Sequence, residues 1–259
     1  MEITSRENPL IKETLSLIHD KKERTAQGLF VTEGARLSSE AAKSSAKIKR
    51  VFITKDAKIK YADYLNDVLS KAEEEYLISP GVSEKLSDTK SPQGVFAVCE
   101  IPKYKPDFSK DGLYVLLSGL QDPGNIGTIL RTCDAMDVKG VLLAECTDIY
   151  SPKVLRSSMG CLFRLPTALY ESSESALSDL KNNGITSYAS ALRKDASLLG
   201  EIKFNPKSCI LIGNEGNGLR DEIIESCEFK VMIPMKGHAE SLNAASAAAI
   251  LIYTAAINL

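Results

Sequence analysis

Three short runs of this chain, Gly140-Val-Leu-Leu-Ala, Cys209-Ile-Leu-Ile-Gly and Lys230-Val-Met-Ile-Pro, are apolar at almost every position. A strand with one face in water alternates polar and apolar side chains, so runs this continuous predict strands covered on both faces, as in a parallel sheet flanked by helices. Leu113-Tyr-Val-Leu-Leu opens the series, and helix-like stretches separate its members. That alternation predicts an α/β fold. Three polar loops rich in Gly and Asn follow apolar runs: Asp122 to Thr132, Ile212 to Leu219 and Ile233 to Ala245. Open α/β sheets form their ligand crevices at the carboxyl ends of strands. Three such loops converging on one spot would make a site.

The amino-terminal part forms a second, smaller alternating series. Strands are predicted over 29–34, 50–54, 75–78 and 94–99, and helices over 10–22, 35–45, 61–72 and 80–88, with Lys21 to Gly28 as a charged turn. The passage Ile101-Pro-Lys-Tyr-Lys-Pro-Asp is rich in proline and charge and is read as a linker. Two domains are therefore expected, 1–105 and 106–259, which suits a chain of 259 residues.

A formal net charge of −2 argues against a polycationic wrapper of nucleic acid. Residues 1–105 carry 18 Lys+Arg against 16 Asp+Glu, so a polyanion would meet that half more easily. The six cysteines never form Cys-x-x-Cys and mostly lie in apolar or helical runs, which predicts free thiols in a reducing compartment and no metal. Met1 leads directly into polar sequence without a signal segment, and the apolar stretch 244–257 is too short to span a bilayer. A cytoplasmic protein with no membrane association is expected. The final segment, 241–259, is predicted as a helix apolar nearly all round, so it lies either at the centre of its domain or against a second copy of the chain.

In the first loop, Gly124 and Gly127 permit positive φ and close backbone approach, and Asn125 offers an amide that donates and accepts. A helix predicted from 128 to 136 carries Arg131 in its first turns. Arg131 is either a solvated surface residue or a guanidinium turned into the crevice to hold a phosphate or carboxylate. The second loop spaces its glycines Gly213-x-x-Gly-x-Gly, which is not the dinucleotide fingerprint, and it lies far from a first βα turn. Glu215 within it is either a turn residue or a ligand contact. In the third loop, Ser241 or Asn243 would cap the final helix, and the free N–H groups there also suit a small polar ligand. His238 has no acidic or cysteine partner nearby in sequence and is a weak general base.

Together and in this order, the three loops resemble the signature motifs of the SpoU/TrmH branch of the SPOUT RNA methyltransferases. The segment from Ser151 to Pro166 is similar to one that this family carries between its first two motifs. Residues 1–105 resemble the family's small RNA-binding accessory domain. The resemblance implies a mostly parallel SPOUT-type α/β sheet with a deep carboxyl-terminal trefoil knot, an exception to the rule against knots. It implies S-adenosyl-L-methionine held by Gly213, Ile233 and Leu242, with Ile212, Asn214, Met235 and Ser241 nearby, and an obligate homodimer. It implies methyl transfer to a ribose 2′-hydroxyl, with Arg131 central and Asn125, Glu215 and Asn243 orienting it and the ribose. The resemblance implies that Arg131 takes the hydroxyl proton; a guanidinium rarely loses its charge, so an electrostatic clamp on the phosphate and the developing alkoxide is the other reading and the one favoured. Lys21, Lys22, Arg24 and Arg36 are the expected phosphate contacts. RNA is the expected partner: 23S rRNA with guanosine favoured, or alternatively tRNA. A non-catalytic RNA-binding protein retaining the fold is the other reading.

Overall fold

The computed structural model describes residues 2–103 and 105–259, so Met1 and Tyr104 of the expected linker lie outside it. The chain forms two compact units. The first takes the residues up to Lys103 together with Asp148–Arg164; the second takes 105–147 and Leu165–Leu259.

The first unit runs β1 (Glu2–Ile3), α1 (Pro9–His19), α2 (Lys21–Gln27), β2 (Leu29–Glu33), α3 (Ala35–Lys43), β3 (Ile48–Ile53), α4 (Lys55–Lys60), α5 (Ala62–Lys71), β4 (Ala72–Ile78), α6 (Pro80–Leu86) and β5 (Val95–Glu100). Its strands make one mixed sheet in the order β1-β4-β3-β5-β2. Ile11, Leu17, Phe52, Phe96 and Val98 are buried within its core. The expected charged turn at 21–28 is a helix instead. The Asp20 carboxylate accepts from the Lys22 amide at 2.7 Å, and Gly28, at φ 66°, ends the run in the left-handed region. An extra helix, α4, also precedes the expected one, because the Thr54 hydroxyl caps the Ala57 amide.

The second unit continues with β6 (Gly112–Ser118), α7 (Pro123–Ala135), β7 (Gly140–Ala144), α8 (Pro152–Ser158), β8 (Thr167–Tyr170), α9 (Ser173–Asn182), β9 (Thr186–Ser190), β10 (Ser197–Leu198), β11 (Lys207–Ile212), α10 (Asp221–Ser226), β12 (Phe229–Met232) and α11 (Ala244–Ile257). Of these, α8 and a short 3-10 turn at Cys161–Phe163 belong to the segment that packs with the first unit. The other strands form a seven-stranded sheet, β10-β12-β9-β11-β6-β7-β8, in which every pair is parallel. Two of the continuous apolar runs become interior strands, as expected: β7 is buried along its length, and Val115, Leu116, Ile210 and Leu211 are inaccessible. The third run differs: β12 lies beside the edge strand β10, and of its residues only Val231 is buried. With every strand parallel, all carboxyl ends point to one edge, and the three polar loops leave from it.

Candidate functional site

Asp122 starts α7. Its carboxylate accepts from the Asn125 amide at 2.8 Å, and Pro123 fills the first helical position, where no N–H is needed. The helix therefore begins five residues before the expected 128. Gly124 and Gly127 lie in helical backbone and do not supply positive φ. Asn125 is in the first turn. Arg131 stands on the third turn instead of the first, about 9 Å further along the axis at 1.5 Å per residue. It is exposed and forms no hydrogen bond or ion pair among the described residues.

The second loop is a tight turn. The backbones of Asn214 and Gly218 exchange hydrogen bonds of 3.0 and 2.9 Å, and Gly218 takes φ 69°. The Asn214 carboxamide accepts from the Gly216 amide at 2.9 Å and donates to the Gly119 carbonyl at 2.8 Å, tying this loop to the end of β6. Gly213 is required by packing: a Cβ there would lie 2.2 Å from the Gly218 carbonyl carbon.

Glu215 joins the second loop to the first. Its carboxylate accepts from the amides of Asp122 (3.0 Å) and Gln121 (3.2 Å) and from the Asn125 side chain (3.2 Å). Partial burial works to raise this carboxyl, yet the Asp122 amide and the neighbouring donors hold it below the ordinary carboxylate range. The third loop completes the chain of contacts. Asn243, and not Ser241, caps α11, accepting from the Ala245 amide at 2.9 Å, while its Nδ2 donates to Asn125 Oδ1 at 3.0 Å. Asn125 is thus linked to Glu215 and Asn243, which lie 90 and 118 residues further along the chain.

Beside this relay lies a cavity of about 420 Å³, a size common among small-molecule sites. Ile212, Gly213, Asn214, Ile233, Met235, Ser241 and Leu242 all line it, as does Glu215. The passage from Ile233 to Leu242 runs outside helix and strand. Its backbone groups therefore lie beyond the sheet's ladder, where they can meet the edge of a heterocycle while Ile212, Ile233 and Leu242 offer apolar surface to its faces. These features fit an adenosine-bearing ligand. Asn125 and Asn243 adjoin the cavity through Glu215, whereas Arg131 is not among its lining residues.

Of the four expected phosphate contacts, Lys21, Lys22 and Arg36 are exposed. Arg24 is not available. It is only 4% exposed, and its guanidinium binds Asp148 at 2.6 Å and the carbonyls of Leu17 and Ile18. A guanidinium whose donors are occupied inside a core is structural, so that expectation is corrected. His238 is exposed on the third loop.

Gln121, Glu145 and the wall formed by Ser190 to Arg193 carry no signal in the sequence. The Gln121 side chain donates to the carbonyls of Gly119 and Glu145, bracing the loop that serves Glu215. Glu145 holds a left-handed φ of 58°, and its side chain pairs with Arg220. The Ser190–Arg193 wall follows β9, whose sequence Thr-Ser-Tyr-Ala-Ser carries no apolar run to announce a strand. Among the described residues, no group of three or more His, Cys, Asp or Glu could hold a metal ion, and no helix is long and apolar enough to cross a membrane.

The profile of the SpoU rRNA Methylase family matches residues 112–253, and that of the MRM3-like substrate binding domain matches residues 8–97. The chain is 34% identical to the 23S rRNA (guanosine(2553)-2′-O)-methyltransferase RlmP of Bacillus subtilis (strain 168), over 97% of this chain and 98% of that protein. It is 30% identical to a 23S rRNA (uridine(2479)-2′-O)-methyltransferase of Streptomyces viridochromogenes, over 98% and 91%. The crystal structure of an AdoMet-bound rRNA methyltransferase from Sinorhizobium meliloti superposes with a TM-score of 0.87 at 28% identity, covering 100% of this chain and 98% of that one.

Proposed function

The chain belongs to the SpoU rRNA methylase family, and from that premise we propose that it transfers a methyl group from S-adenosylmethionine to a ribose 2′-hydroxyl of 23S rRNA, with guanosine as the acceptor. The observation that carries this is the single cavity lined by all seven expected cofactor residues and joined through Glu215 to Asn125 and Asn243. The guanosine assignment is supported by likeness to the Bacillus enzyme, slightly stronger than that to the uridine-specific Streptomyces enzyme.

Bound S-adenosylmethionine supplies a methyl group on a positively charged sulfur, which leaves with its electron pair as the new carbon–oxygen bond forms. The protein's task is to hold the cofactor and to align and activate the hydroxyl. Gly213, Ile233 and Leu242, with Ile212, Asn214, Met235 and Ser241 around them, hold the adenosine end. Asn125, Asn243 and Glu215 fix α7 relative to that cavity, so the helix carrying Arg131 is set by the same groups that close the site. Arg131, exposed and without a partner among the described residues, is free to grip the phosphate beside the target ribose and to stabilise charge developing on the attacking oxygen, while the hydroxyl proton leaves to water. Lys21, Lys22 and Arg36 contact the RNA backbone. The carboxyl-terminal part of the second unit's sheet is threaded into the trefoil knot of the family, the protein acts in the cytoplasm, and two copies associate through α11.

The test uses tritiated S-adenosylmethionine with separate 23S rRNA and tRNA transcripts, followed by mapping of 2′-O-methyl marks. Label should enter one guanosine of the 23S transcript. Label confined to tRNA would move the activity to the alternative substrate, and no cofactor binding by calorimetry would leave only an RNA-binding role. In the same assay Arg131→Ala should lower methyl transfer by at least about 100-fold, the range seen on removing one transition-state donor, while cofactor affinity stays within a factor of about two. Near-normal turnover in that variant would remove Arg131 from the mechanism.

A further inference from the structure

The first unit contains a second cavity, about 490 Å³, that the reaction above does not use. One side is the start of α3, with Gly34, Arg36 and Leu37. Another is the turn 89–93, with Lys90, Ser91 and Gln93. The third is Met159, at the end of α8. Met159 lies within the segment matched to the SpoU family by sequence, yet it packs with the first unit.

The charges on this cavity divide into two sets. Arg156 is engaged, donating to Asp88 at 2.6 Å and lying 3.7 Å from Glu33. Glu33 in turn accepts from the Ser87 and Thr89 hydroxyls and the Asp88 amide. These contacts fix the 87–89 turn, and the two carboxylates outweigh the one guanidinium by a single negative charge. Arg36 and Lys90 are both exposed and form no hydrogen bond or ion pair among the described residues, so the cavity keeps a net positive lining.

The remaining walls suit a flat heterocycle. Met159 is 43% exposed and takes a left-handed φ of 53°, a conformation that non-glycine residues adopt only under constraint from their surroundings. Its apolar, polarisable side chain lines the cavity, as does Leu37. Among the described residues the Gln93 side chain donates to no group of the fold and accepts from the Ala35 amide through Oε1 at 2.9 Å, which leaves its NH₂ to face a ligand, with the Ser91 hydroxyl also on the lining.

We propose that this cavity receives one unpaired RNA nucleotide, its phosphates on Arg36 and Lys90, its base between Met159 and Leu37, and its polar edge on Gln93 and Ser91. The inference rests on the reading of the chain as an RNA methyltransferase and adds a site of substrate selection away from the methyl-transfer cavity. A base held there must be out of its helix, since stacking and pairing would keep it from entering.

The test is direct binding of the full chain to a 5′-fluorescein single-stranded RNA of about a dozen nucleotides, the scale of single-strand sites, and to the same strand in a perfect duplex. Wild type should prefer the single strand. Arg36→Ala/Lys90→Ala should weaken single-strand binding by about tenfold and make the log–log salt dependence shallower by about 1.4, two contacts at roughly 0.7 each. Met159→Gly separates recognition from folding: it relieves the left-handed backbone, so the thermal midpoint should hold or rise, while single-strand affinity falls several-fold. Equal binding of duplex and single strand, an unchanged salt slope in the double variant, or undiminished RNA affinity in Met159→Gly would each overturn the assignment. Methyl transfer is not read here, so a failure of the catalytic reading shows only in the tritium assay and a failure of this site only in the binding assay.

Discussion

At Gly213 the requirement is steric and local. Its backbone is not in the left-handed region, so the residue is not there for conformational freedom. A methyl group on it would sit 2.2 Å from the backbone on the far side of the turn, and backbone cannot move aside as a flexible side chain can. Gly213→Ala should open the Asn214–Gly218 turn and cost about 1–3 kcal/mol, the usual range for forced overpacking. Cofactor affinity should fall by at least about tenfold, the equivalent of 1.4 kcal/mol. Calorimetric titration with S-adenosylmethionine beside a thermal melt checks both, and wild-type affinity in the variant would show that the turn does not form the cavity wall. The resemblance to the family singled out Asn125, Glu215, Asn243 and Arg131, and the structure joins the first three by hydrogen bonds while Arg131 stays off the cavity's lining. Their contacts were not legible. Nothing in the spacing shows that Asn214 binds its own loop, that Glu215 collects two backbone amides, or that Arg24 is enclosed and Arg36 is not.

Elements were legible where burial on both faces erased every alternative. The runs that became β6, β7 and β11 could not be surface helices or half-wet strands, and they form the middle of the sheet. Strand β9 was not legible, since Thr-Ser-Tyr-Ala-Ser is polar at its ends and depends on its neighbours β11 and β12 to be a strand at all. Helix α11 was expected to be apolar all round, and it divides into two faces. Ala248, Leu251, Ile252 and Ala255 are buried, whereas Ile250, Tyr253 and Ile257 stand 41%, 54% and 61% exposed in a stripe at three- and four-residue spacing. That stripe is what association of two copies would cover. Tyr253→Asp/Ile257→Asp places two charges on it, where burial without a partner is prohibitive. Sedimentation should show wild type at twice the chain mass and the variant at once, with the far-ultraviolet spectrum unchanged. A variant that stays dimeric places the interface elsewhere.

At the scale of the whole molecule, chain order and spatial order disagree. The sequence invites a cut at the linker, but the chain leaves the second unit after Thr147, contributes Asp148–Arg164 to the first, and then returns. Hydrophobic periodicity cannot reveal this, because α8 is equally amphipathic whichever unit it covers. What holds the segment is visible in its contacts. Tyr150 packs at a tilt against Phe30 of β2 and Phe163 stacks on it, at centroid distances of 5.1 and 5.5 Å, and Asp148 receives the enclosed Arg24 guanidinium. Removing one member of such a pair leaves the other charge buried and uncompensated. Asp148→Ala should therefore cost about 3–5 kcal/mol, far above the 0–1 kcal/mol typical of an exposed pair. Replacing both partners is gentler, so Asp148→Ala/Arg24→Met should recover most of the loss. Hydrogen exchange resolves where the effect falls. Protection should drop across Asp148–Arg164 and β2 in the single variant and return in the double, while β6, β7 and β11 are unchanged. If the double variant is no better protected than the single, the pair is not what anchors this segment. In either variant the cofactor cavity lies wholly in the second unit, so affinity for S-adenosylmethionine should stay at the wild-type value, and loss of methyl transfer to RNA without loss of cofactor binding would locate the segment's contribution in holding the substrate.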